Sequence, residues 1–595
     1  MGETNAVNGI GRALGYIKSM AARNRVVIGI LLALGAGMFL PGIDWGLPSR
    51  DVDPYLFGEH EIWTGDQILK LAGPTENADR GADVASHPGA SRSRAVIINA
   101  TDEDRARIIR RYRLMSYQPD EWNTLKALSE MKPGQGNFDP KLYQYGGLWV
   151  YPVGAMLKIA SMLHLIDLRS NVAFYLDHPE ALGRFYIVAR LWSVAWGMVG
   201  ILAVYAIVRR IVGGWLFPAV AAICFMSMPI VVNMAHEAKP HLAGAVLTLL
   251  AVLAASRYVE RGSRSAWMMA GAFCGAALSM VLSAAPIFIV LPVMARMRRG
   301  SWSVLGGAIA IGAAVYIVAN PYLFINLLRH RGVVESNLGN SRAMYQFHLT
   351  GTGVMNAISL TEAGTSPVLA IVGAIGAVVL GRRAIRTRGE VDPAAVRRRA
   401  IGLSLAAPAL CVAIQCAAVA TGKPGEFGRF MLIFDIFLMI EAVVFAATFL
   451  HRPSIRIAAA GVLLASTALP GFCYLRAFSR DSHKPTTRMI AATRIRSFGA
   501  FGDQTLAVYA DPAPYCVPPV DVFRWKIALL PAGAGPGDGL RAAEDSVQAV
   551  DLAVSRRWSI ARRVIQVMLE STPISWADKQ FDVRSRYALW PGAKK

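Results

Sequence analysis

The sequence is poor in cysteine, with six among 595 residues, and it shows no internal repeat with the period of a solenoid. Four of the cysteines fall within apolar segments, where we expect small packing residues: Cys224, Cys274, Cys411 and Cys416. Cys473 and Cys516 lie outside those segments and could pair in an oxidising compartment. Two isolated cysteines are too few to indicate a fold built on disulfides, so this pairing stays open.

Acidic residues are also scarce, since 40 of them stand against 62 basic residues and the formal net charge is +22. In a soluble protein such an excess would suggest nucleic-acid binding. The basic residues, however, are grouped in short segments at every second connection between apolar runs: 12–25, 209–210, 257–264, 296–299, 382–399 and 452–456. A nucleic-acid surface needs its cations on one folded face, so this distribution predicts no nucleic-acid partner.

What the sequence has in abundance is apolar residues, which make up 54% of the chain and give a mean hydropathy of +0.38. Apolar runs of about twenty residues recur, and each is long enough to cross a hydrocarbon core of about 30 Å. The fold class predicted is an all-α polytopic membrane protein with about eleven spans. The predicted spans are 26–42, 186–208, 214–233, 242–256, 266–282, 284–296, 303–320, 366–381, 400–420, 430–450 and 454–471.

The alternation of basic segments predicts which side of the membrane each connection faces. Basic loops are typically cytoplasmic, so residues 1–25 form a cytoplasmic N-terminus and the first apolar run is a retained signal anchor. The transmembrane domain then covers 26–471 and includes a large first outer loop, 43–184. Within it, the Gly, Ala and Ser-rich stretch 73–94 indicates an exposed or mobile insertion.

An odd number of spans places the last part of the chain, 472–595, on the outer side as well. It mixes strand-like stretches at 505–509 and 520–530 with helical ones at 540–555 and 558–569. The pattern predicts a small C-terminal α/β extracytoplasmic domain.

A pair of adjacent carboxylates, Asp120 and Glu121, follows Pro119 in the first outer loop and opens a short amphipathic helix over 121–131. The positive end of a helix dipole stabilises such anions, which suits a general base or a metal ligand. The alternative is that Asp120 only caps the helix.

A second group of ionisable residues occupies the short outer turn "HEAKPH": His236, Glu237, Lys239 and His241. A polar cluster between two apolar helices is a functional candidate. A zinc-protease motif is excluded, because three residues separate Glu237 from His241 and Pro240 would break the helix. A divalent metal is compatible with the carboxylates but is not predicted.

Several cations and one further carboxylate are expected on the same outer face: Arg190, Arg329, Arg331, Glu426 and Arg429. Arginines there could hold a lipid phosphate through paired hydrogen bonds. The alternative is contact with anionic lipids without catalysis. For Arg190, at the start of the second span, a cavity-facing position and an interfacial snorkelling position both stay open.

These motifs resemble the GT-C glycosyltransferases, in particular the bacterial relatives of protein O-mannosyltransferases and the lipid A aminoarabinose transferase. The likeness lies in the Pro-Asp-Glu element at 119–121, the Tyr and Pro-rich segment that contains Tyr145 and Tyr151, the Arg-Leu pair at 190–191 and the Arg-Phe pair at 429–430. It implies a GT-C-like fold in the bacterial inner membrane, with the chemistry on the outer face. In such enzymes the aspartate of this element acts as the base, a role that falls on Asp120.

The resemblance implies an inverting glycosyltransferase that takes its sugar from a polyprenyl-phosphate donor within the lipid bilayer. Asp120, with Glu121 beside it, would deprotonate or orient the acceptor, and Glu237 would position the acceptor or an ion. Lys239, Arg329, Arg331 and Arg429 would neutralise the leaving phosphate. The supporting residues would be Arg190, His236, His241, Tyr145, Tyr151 and Glu426. The acceptor would be a glycan, a lipid or a protein, and no particular cofactor is predicted.

Two other functions remain open at this stage. A transporter or flippase of lipid-linked saccharides would have broken helices, and Pro229 and Pro286 do interrupt predicted spans, although no related halves are evident. A non-catalytic membrane scaffold would use the outer tail to bind a partner.

Overall fold

The computed structural model describes residues 24–73, 96–118, 120–299, 302–344, 348–386, 392–419, 424–450, 452–498, 504–508, 518–529, 550–551 and 588–589. Seven helices precede the first long span: α1 Asn24–Phe39, α2 Asp53–Phe57, α3 Gly65–Ala72, α4 Asp102–Leu114, α5 Asp120–Glu130, α6 Gly147–Met162 and α7 Val172–Asp177. All but α1 belong to the predicted first outer loop, which is therefore a folded helical layer.

The remaining helices form the apolar bundle and its connections. They are α8 Pro179–Val212, α9 Leu216–Ser227, α10 Pro229–Ala235, α11 His241–Arg261, α12 Arg264–Met280, α13 Val290–Met297, α14 Trp302–Ala319, α15 Pro321–Arg329, α16 Arg331–Met344, α17 Gly351–Gly364, α18 Pro367–Arg386, α19 Pro393–Val419, α20 Leu432–Phe449, α21 Pro453–Asp481 and α22 Thr487–Phe498. Tighter 3₁₀ segments, Leu282–Ile289 and Pro424–Met431, lead into α13 and α20.

Every predicted span coincides with helical structure, but the predicted number of eleven is not confirmed. Among the described residues, seven helices are long and apolar enough to cross a membrane, or eight if the bent pair α9 and α10 counts as one span. The helices at the first, fifth and sixth predicted spans are shorter: α1, α12 with 17 residues, and the run Leu282–Met297. A multi-pass helical membrane protein is the fold class that these lengths support.

The break between α9 and α10 matters most for the site. Met228 is extended, Pro229 cannot continue the preceding helix, and the two helices meet at 61°. As a result α10 turns into the protein, and every residue from 224 to 249 is buried. The turn that carries Glu237 and Lys239 therefore lies inside the protein beneath the first outer loop, which corrects the expectation of a turn exposed at the membrane surface.

A three-stranded sheet joins the first outer loop to the C-terminal tail. Its order is β1 Val96–Ile97, β3 Trp525–Leu529 and β2 Gln504–Val508; β3 runs antiparallel to β1 and parallel to β2. The buried Asn99 side chain fastens this junction, because its amide donates to the Val522 and Trp525 carbonyls and accepts from the Ile527 N–H. The tail strands therefore share one sheet with the first loop.

The structure bears on the other predictions for these segments as follows. The first predicted tail strand is confirmed as β2, and the second is confirmed only in its later part, as β3, because 520–524 forms a coil and a turn. The predicted helix over 540–555 is wrong at Val550–Asp551, a short strand β4 that pairs with β5 Ala588–Leu589. The rest of 540–555, all of 558–569, Cys516 and the stretch 74–95 lie outside the described residues.

Candidate active site

Asp120 is the first residue of α5 and faces two cations from distant parts of the chain. Its Oδ2 atom lies 3.0 Å from Lys239 Nζ and 3.4 Å from Arg429 Nη1. The Asp120 side chain keeps 32% of its surface exposed, whereas Lys239 is fully buried. Burial alone would raise the pKa of Asp120, but Lys239 and Arg429 hold that pKa well below its usual range. Asp120 is therefore an anion that can be reached from outside.

Lys239 lies between two carboxylates. Its ammonium is 3.2 Å from Glu237 Oε2 as well as 3.0 Å from Asp120 Oδ2. Burial lowers the pKa of Lys239, yet Asp120 and Glu237 together raise it above its ordinary value. Lys239 is therefore a permanent buried cation, held in place by the short loop between α10 and α11.

Glu237 is enclosed by donors. Its Oε1 atom accepts hydrogen bonds from Asn233 Nδ2 at 3.1 Å and from Gln118 Nε2 at 3.2 Å. Burial raises the pKa of Glu237 even though the Lys239 charge opposes the shift. We call this group of four side chains the Asp120 cluster: Asp120, Glu237, Lys239 and Arg429. Within it, Glu237 serves as the inner anion that fixes Lys239.

Glu121, next to Asp120, points in a different direction and is saturated by partners. It forms a bidentate ion pair with Arg190, at 2.8 Å and 2.7 Å, and both side chains are fully buried. Its oxygens also accept from the Ala238 N–H at 2.7 Å and lie 2.5 Å from Ser116 Oγ. Arg190 Nη1 donates to the Ile43 and Trp45 carbonyls. The ion pair between Glu121 and Arg190 holds the first outer loop against α8. Arg190 therefore lies in the protein interior and not at the membrane interface.

Arg429 and two aromatic neighbours form the wall beside Asp120. The guanidinium of Arg429 lies 5.2 Å from the centre of the Phe430 ring, which in turn packs edge-on against His241. Tyr145 packs edge-on against the other side of His241, and burial raises the pKa of Tyr145 to about 12. The Tyr145 hydroxyl therefore stays protonated near neutral pH.

A groove is lined by Arg429 and His241 together with residues of α11, the 3₁₀ segment Leu282–Ile289, α19 and the start of α20. Its other lining residues are mainly apolar, among them Ala284, Val412 and Ile433, and the polar ones are Thr248 and Ser283. The groove thus combines a cation with a mainly apolar lining, as a site for a lipid phosphate requires.

His236 has a structural position. Its two ring nitrogens lie 2.7 Å and 2.9 Å from the Val232 and Pro41 carbonyl oxygens, and the ring stacks on Phe478 at 4.3 Å. The His236 carbonyl accepts from the indole N–H of Trp45. Burial lowers the pKa of His236 to about 4. This side chain is part of the core under the loop.

The other predicted site residues lie outside the Asp120 cluster. Tyr151 donates to the Phe138 carbonyl, and Arg331 is exposed and paired with Glu335 at 2.8 Å. Arg329 is exposed at the end of α15. The Glu426 side chain falls outside the described residues, although its backbone belongs to the 3₁₀ segment before α20.

Sequence reasoning missed three polar residues that build the site: Ser116, Gln118 and Asn233. Gln118 and Ser116 are fully buried, and they connect the first loop to Glu237 and Glu121 respectively. Their only sequence signal is a position within a few residues of the Pro-Asp-Glu element. Asn233, one turn before Glu237 on α10, would have required knowledge of the break at Pro229.

The residues present do not fit a bound metal ion. The Lys239 ammonium already fills the space between Asp120 and Glu237 and supplies the positive charge there. Among the described residues, no group of three or more His, Cys, Asp and Glu side chains has the arrangement of a metal site. No catalytic step is therefore derived through a metal.

Residues 182–323 match the profile of the dolichyl-phosphate-mannose-protein mannosyltransferase family. The matched segment carries Arg190, Glu237, Lys239 and His241. The predicted resemblance to GT-C membrane glycosyltransferases is confirmed by this match. No curated protein matched the chain in a sequence comparison.

The chain also matches solved structures, all of them distant in sequence and with TM-scores of 0.40 or less. ArnT from Cupriavidus metallidurans bound to undecaprenyl phosphate is 14% identical, with 65% of this chain and 71% of that chain covered and a TM-score of 0.39. The apo state of the same ArnT is 15% identical, with 66% of this chain and 70% of that chain covered and a TM-score of 0.40. The apo oligosaccharyltransferase from Archaeoglobus fulgidus is 14% identical, with 66% of this chain and 58% of that chain covered and a TM-score of 0.38. The roles of the residues in this chain therefore have to follow from their own contacts.

Proposed function

We propose that this chain transfers a sugar from a polyprenyl-phosphate donor to an acceptor hydroxyl at the non-cytoplasmic face of the membrane. The observation that carries the proposal is the convergence of Lys239 and Arg429 on one oxygen of Asp120. A base and two cations able to bind phosphate then lie within one site, and Arg429 also lines a mainly apolar groove. Glycosyl transfer from a lipid phosphate needs these elements together.

The transfer step follows from the chemistry of these groups. The acceptor oxygen forms a bond to the anomeric carbon while the bond from that carbon to the phosphate oxygen breaks, so the configuration is inverted. Asp120 accepts the acceptor proton, and polyprenyl phosphate leaves as an anion whose charge Lys239 and Arg429 neutralise. Atoms and charge balance without a further reactant.

The two cations also explain how a weakly basic Asp120 becomes a useful base. In the free protein Lys239 and Arg429 favour its ionised form, which lowers its affinity for a proton. When the donor phosphate pairs with Lys239 and Arg429, these cations stabilise the Asp120 carboxylate less. The proton affinity of Asp120 therefore rises. Binding of the donor thereby makes Asp120 a stronger base for the acceptor hydroxyl.

The other predicted site residues have supporting roles in this proposal. Glu237 holds Lys239 in place, while Glu121 and Arg190 fix the start of α5, so Glu121 is a positioning residue rather than a reacting one. His241 and Tyr145 shape the wall beside Arg429. Arg329 and Arg331 are left to contact anionic headgroups at the surface.

The test compares lipid-linked sugars in cells with and without the protein, and then assays the accumulating lipid with the purified chain in nanodiscs. We expect sugar transfer by the wild type and by Arg331→Gln, and a loss of at least about a hundredfold in Asp120→Asn. Equal turnover in Asp120→Asn and wild type would reject the proposal. Movement of the lipid-linked sugar across vesicles without any transfer would instead support the flippase alternative.

A further inference from the structure

Tyr117, three residues before Asp120, is enclosed by the segment that follows the last long helix. The side chain is 5% exposed, and its hydroxyl lies 2.6 Å from Thr486 Oγ1. The guanidinium of the buried Arg488 lies 4.3 Å from the centre of the Tyr117 ring. Burial raises the pKa of Tyr117 to about 12, so the phenol stays protonated and able to donate. The tail thus contacts both the face and the tip of this ring.

The enclosing segment is itself held rigidly at the end of α21. The Asp481 carboxylate accepts hydrogen bonds from the N–H and the hydroxyl of Thr487, at 2.8 Å and 2.9 Å. Arg488 Nη1 lies 3.8 Å from Asp481 Oδ2. The fold of 481–488 is therefore fixed by its own contacts before it meets Tyr117.

A third segment completes the enclosure through the backbone of Gly46. The Gly46 N–H donates to the Asp481 carbonyl at 3.3 Å, and the Tyr117 N–H donates to the Gly46 carbonyl at 2.8 Å. Gly46 has φ +59, and a Cβ there would lie 2.7 Å from the Tyr117 ring. The chain between α1 and α2 therefore contacts both the tail and Tyr117, and a Cβ at Gly46 would collide with the Tyr117 side chain.

The residues on both sides of Tyr117 belong to the site. Ser116 contacts Glu121 and Gln118 donates to Glu237, while the Gln118 side-chain oxygen lies 3.4 Å from the backbone nitrogen of Asp120. A rotation of Tyr117 about its backbone would move Ser116 and Gln118 with it. Asp120 would then shift relative to Lys239 and Arg429.

We propose that the tail segment 481–488 is a positioning element of the site, which sets the location of Asp120 through Tyr117. This inference rests on the proposed function and adds to it a role for residues after the last long helix. Thr486 and Arg488 are positioning residues, because they act on the reacting carboxylate only through Tyr117. A tail that served only to cover the loop would affect stability without changing the catalytic step.

The kinetic test uses full-length protein in nanodiscs with Thr486→Val and Tyr117→Phe, which remove the same hydrogen bond from opposite sides. We expect each variant to lower kcat about tenfold with donor KM within about twofold, since small displacements of a reacting group are costly. Thr486→Val also removes the hydrogen bond that Thr486 Oγ1 accepts from the Met489 N–H, so the double variant should equal Thr486→Val. Arg488→Lys should also lower kcat, because an ammonium lacks the planar contact with the ring.

The matched control is Tyr55→Phe. The Tyr55 hydroxyl lies 3.1 Å from Thr493 Oγ1, so it joins the same first loop to the same tail, but on the exposed surface. We expect kcat to stay unchanged in this variant. If Thr486→Val and Tyr117→Phe lower kcat no more than Tyr55→Phe, the positioning role is rejected.

A second measurement does not depend on sugar transfer. Asp120→Cys is alkylated with a charged thiol reagent, and mass spectrometry of the labelled peptide gives the rate in backgrounds that carry Thr486→Val or Tyr55→Phe. We expect the rate to change at least about threefold with Thr486→Val only. Equal rates would overturn the inference, whereas a wild type that transfers no sugar but shows this rate difference would reject only the proposed function.

Discussion

Lys239 is fully buried, and its ammonium reaches Asp120 at the surface-accessible start of α5 across a distance of 3.0 Å. The two residues belong to different layers of the molecule, because Asp120 comes from the first outer loop and Lys239 from the turn after the broken helix. Glu237 balances the other side of the ammonium. The ion pair therefore fixes the helical layer of the first loop to the apolar bundle.

The first prediction concerns pH and Arg429. Protonated Asp120 cannot accept a proton, so kcat/KM falls as pH drops through the pKa of Asp120 in the free protein. Because Lys239 and Arg429 depress that pKa, the loss should occur only below the usual range of an aspartate. Arg429→Gln removes one cation and should move the acid limb of the pH profile to higher pH.

The control for this profile is Arg331→Gln, since Arg331 is exposed and pairs with the exposed Glu335. We expect its acid limb to coincide with that of the wild type. The same sign applies to stability: a depressed pKa in the folded protein stabilises it above the unfolded pKa, and the contribution is lost as pH falls through the folded value. An acid limb that does not move in Arg429→Gln would contradict the electrostatic role of Arg429.

The second prediction concerns the ion pair between Glu121 and Arg190. Glu121→Gln leaves a buried guanidinium without its counter-charge, which should lower the free energy of unfolding by about 3–5 kcal/mol. Thermal unfolding in detergent, followed by tryptophan fluorescence, measures the change. Glu335→Gln removes a carboxylate from an exposed pair and should cost at most about 1 kcal/mol. Equal shifts in the two variants would show that the buried pair is not a structural element.

The third prediction separates backbone strain from steric conflict at Gly46. Gly136 has φ +70 with nothing within 4 Å of a built Cβ, so Gly136→Ala should cost only about 1–2 kcal/mol for a left-handed alanine. Gly46→Ala carries the same strain and also brings its Cβ against Tyr117. We expect a distinctly larger loss of stability and, in protein that still folds, a lower kcat. Indistinguishable unfolding temperatures would contradict the tight passage beside Tyr117.

Hydropathy and local patterns predicted the helical spans and the helix that starts at Asp120. Both depend on residues close in sequence, namely apolar runs and a Pro-Asp-Glu element that favours a helix start. The same reasoning placed Asp120, Glu237, Lys239 and Arg429 on one face, and the structure does bring these four side chains into contact. Their catalytic roles remain predictions.

The rest of the site could not be read from sequence, for identifiable reasons. Adjacent helical residues point about 100° apart, so Asp120 and Glu121 had to face different surroundings, but nothing local indicated which one would meet Arg190. The burial of the 236–241 turn depends on α10 turning inward after Pro229 and on the loop that covers it. Arg329 and Arg331 were assigned from their side of the membrane, which carries no information about distance to Asp120.

The sheet shared by the first loop and the tail has a consequence for biosynthesis. Asn99 and its partner Val522 are 423 residues apart in sequence. The side-chain amide of Asn99 therefore cannot form this hydrogen bond until almost the whole chain has been synthesised. Contacts of such long sequence separation form late and slowly. A ribosome-bound or prematurely terminated chain would therefore insert its helices with this junction still open, and quality-control proteases could recognise the unfinished polypeptide there.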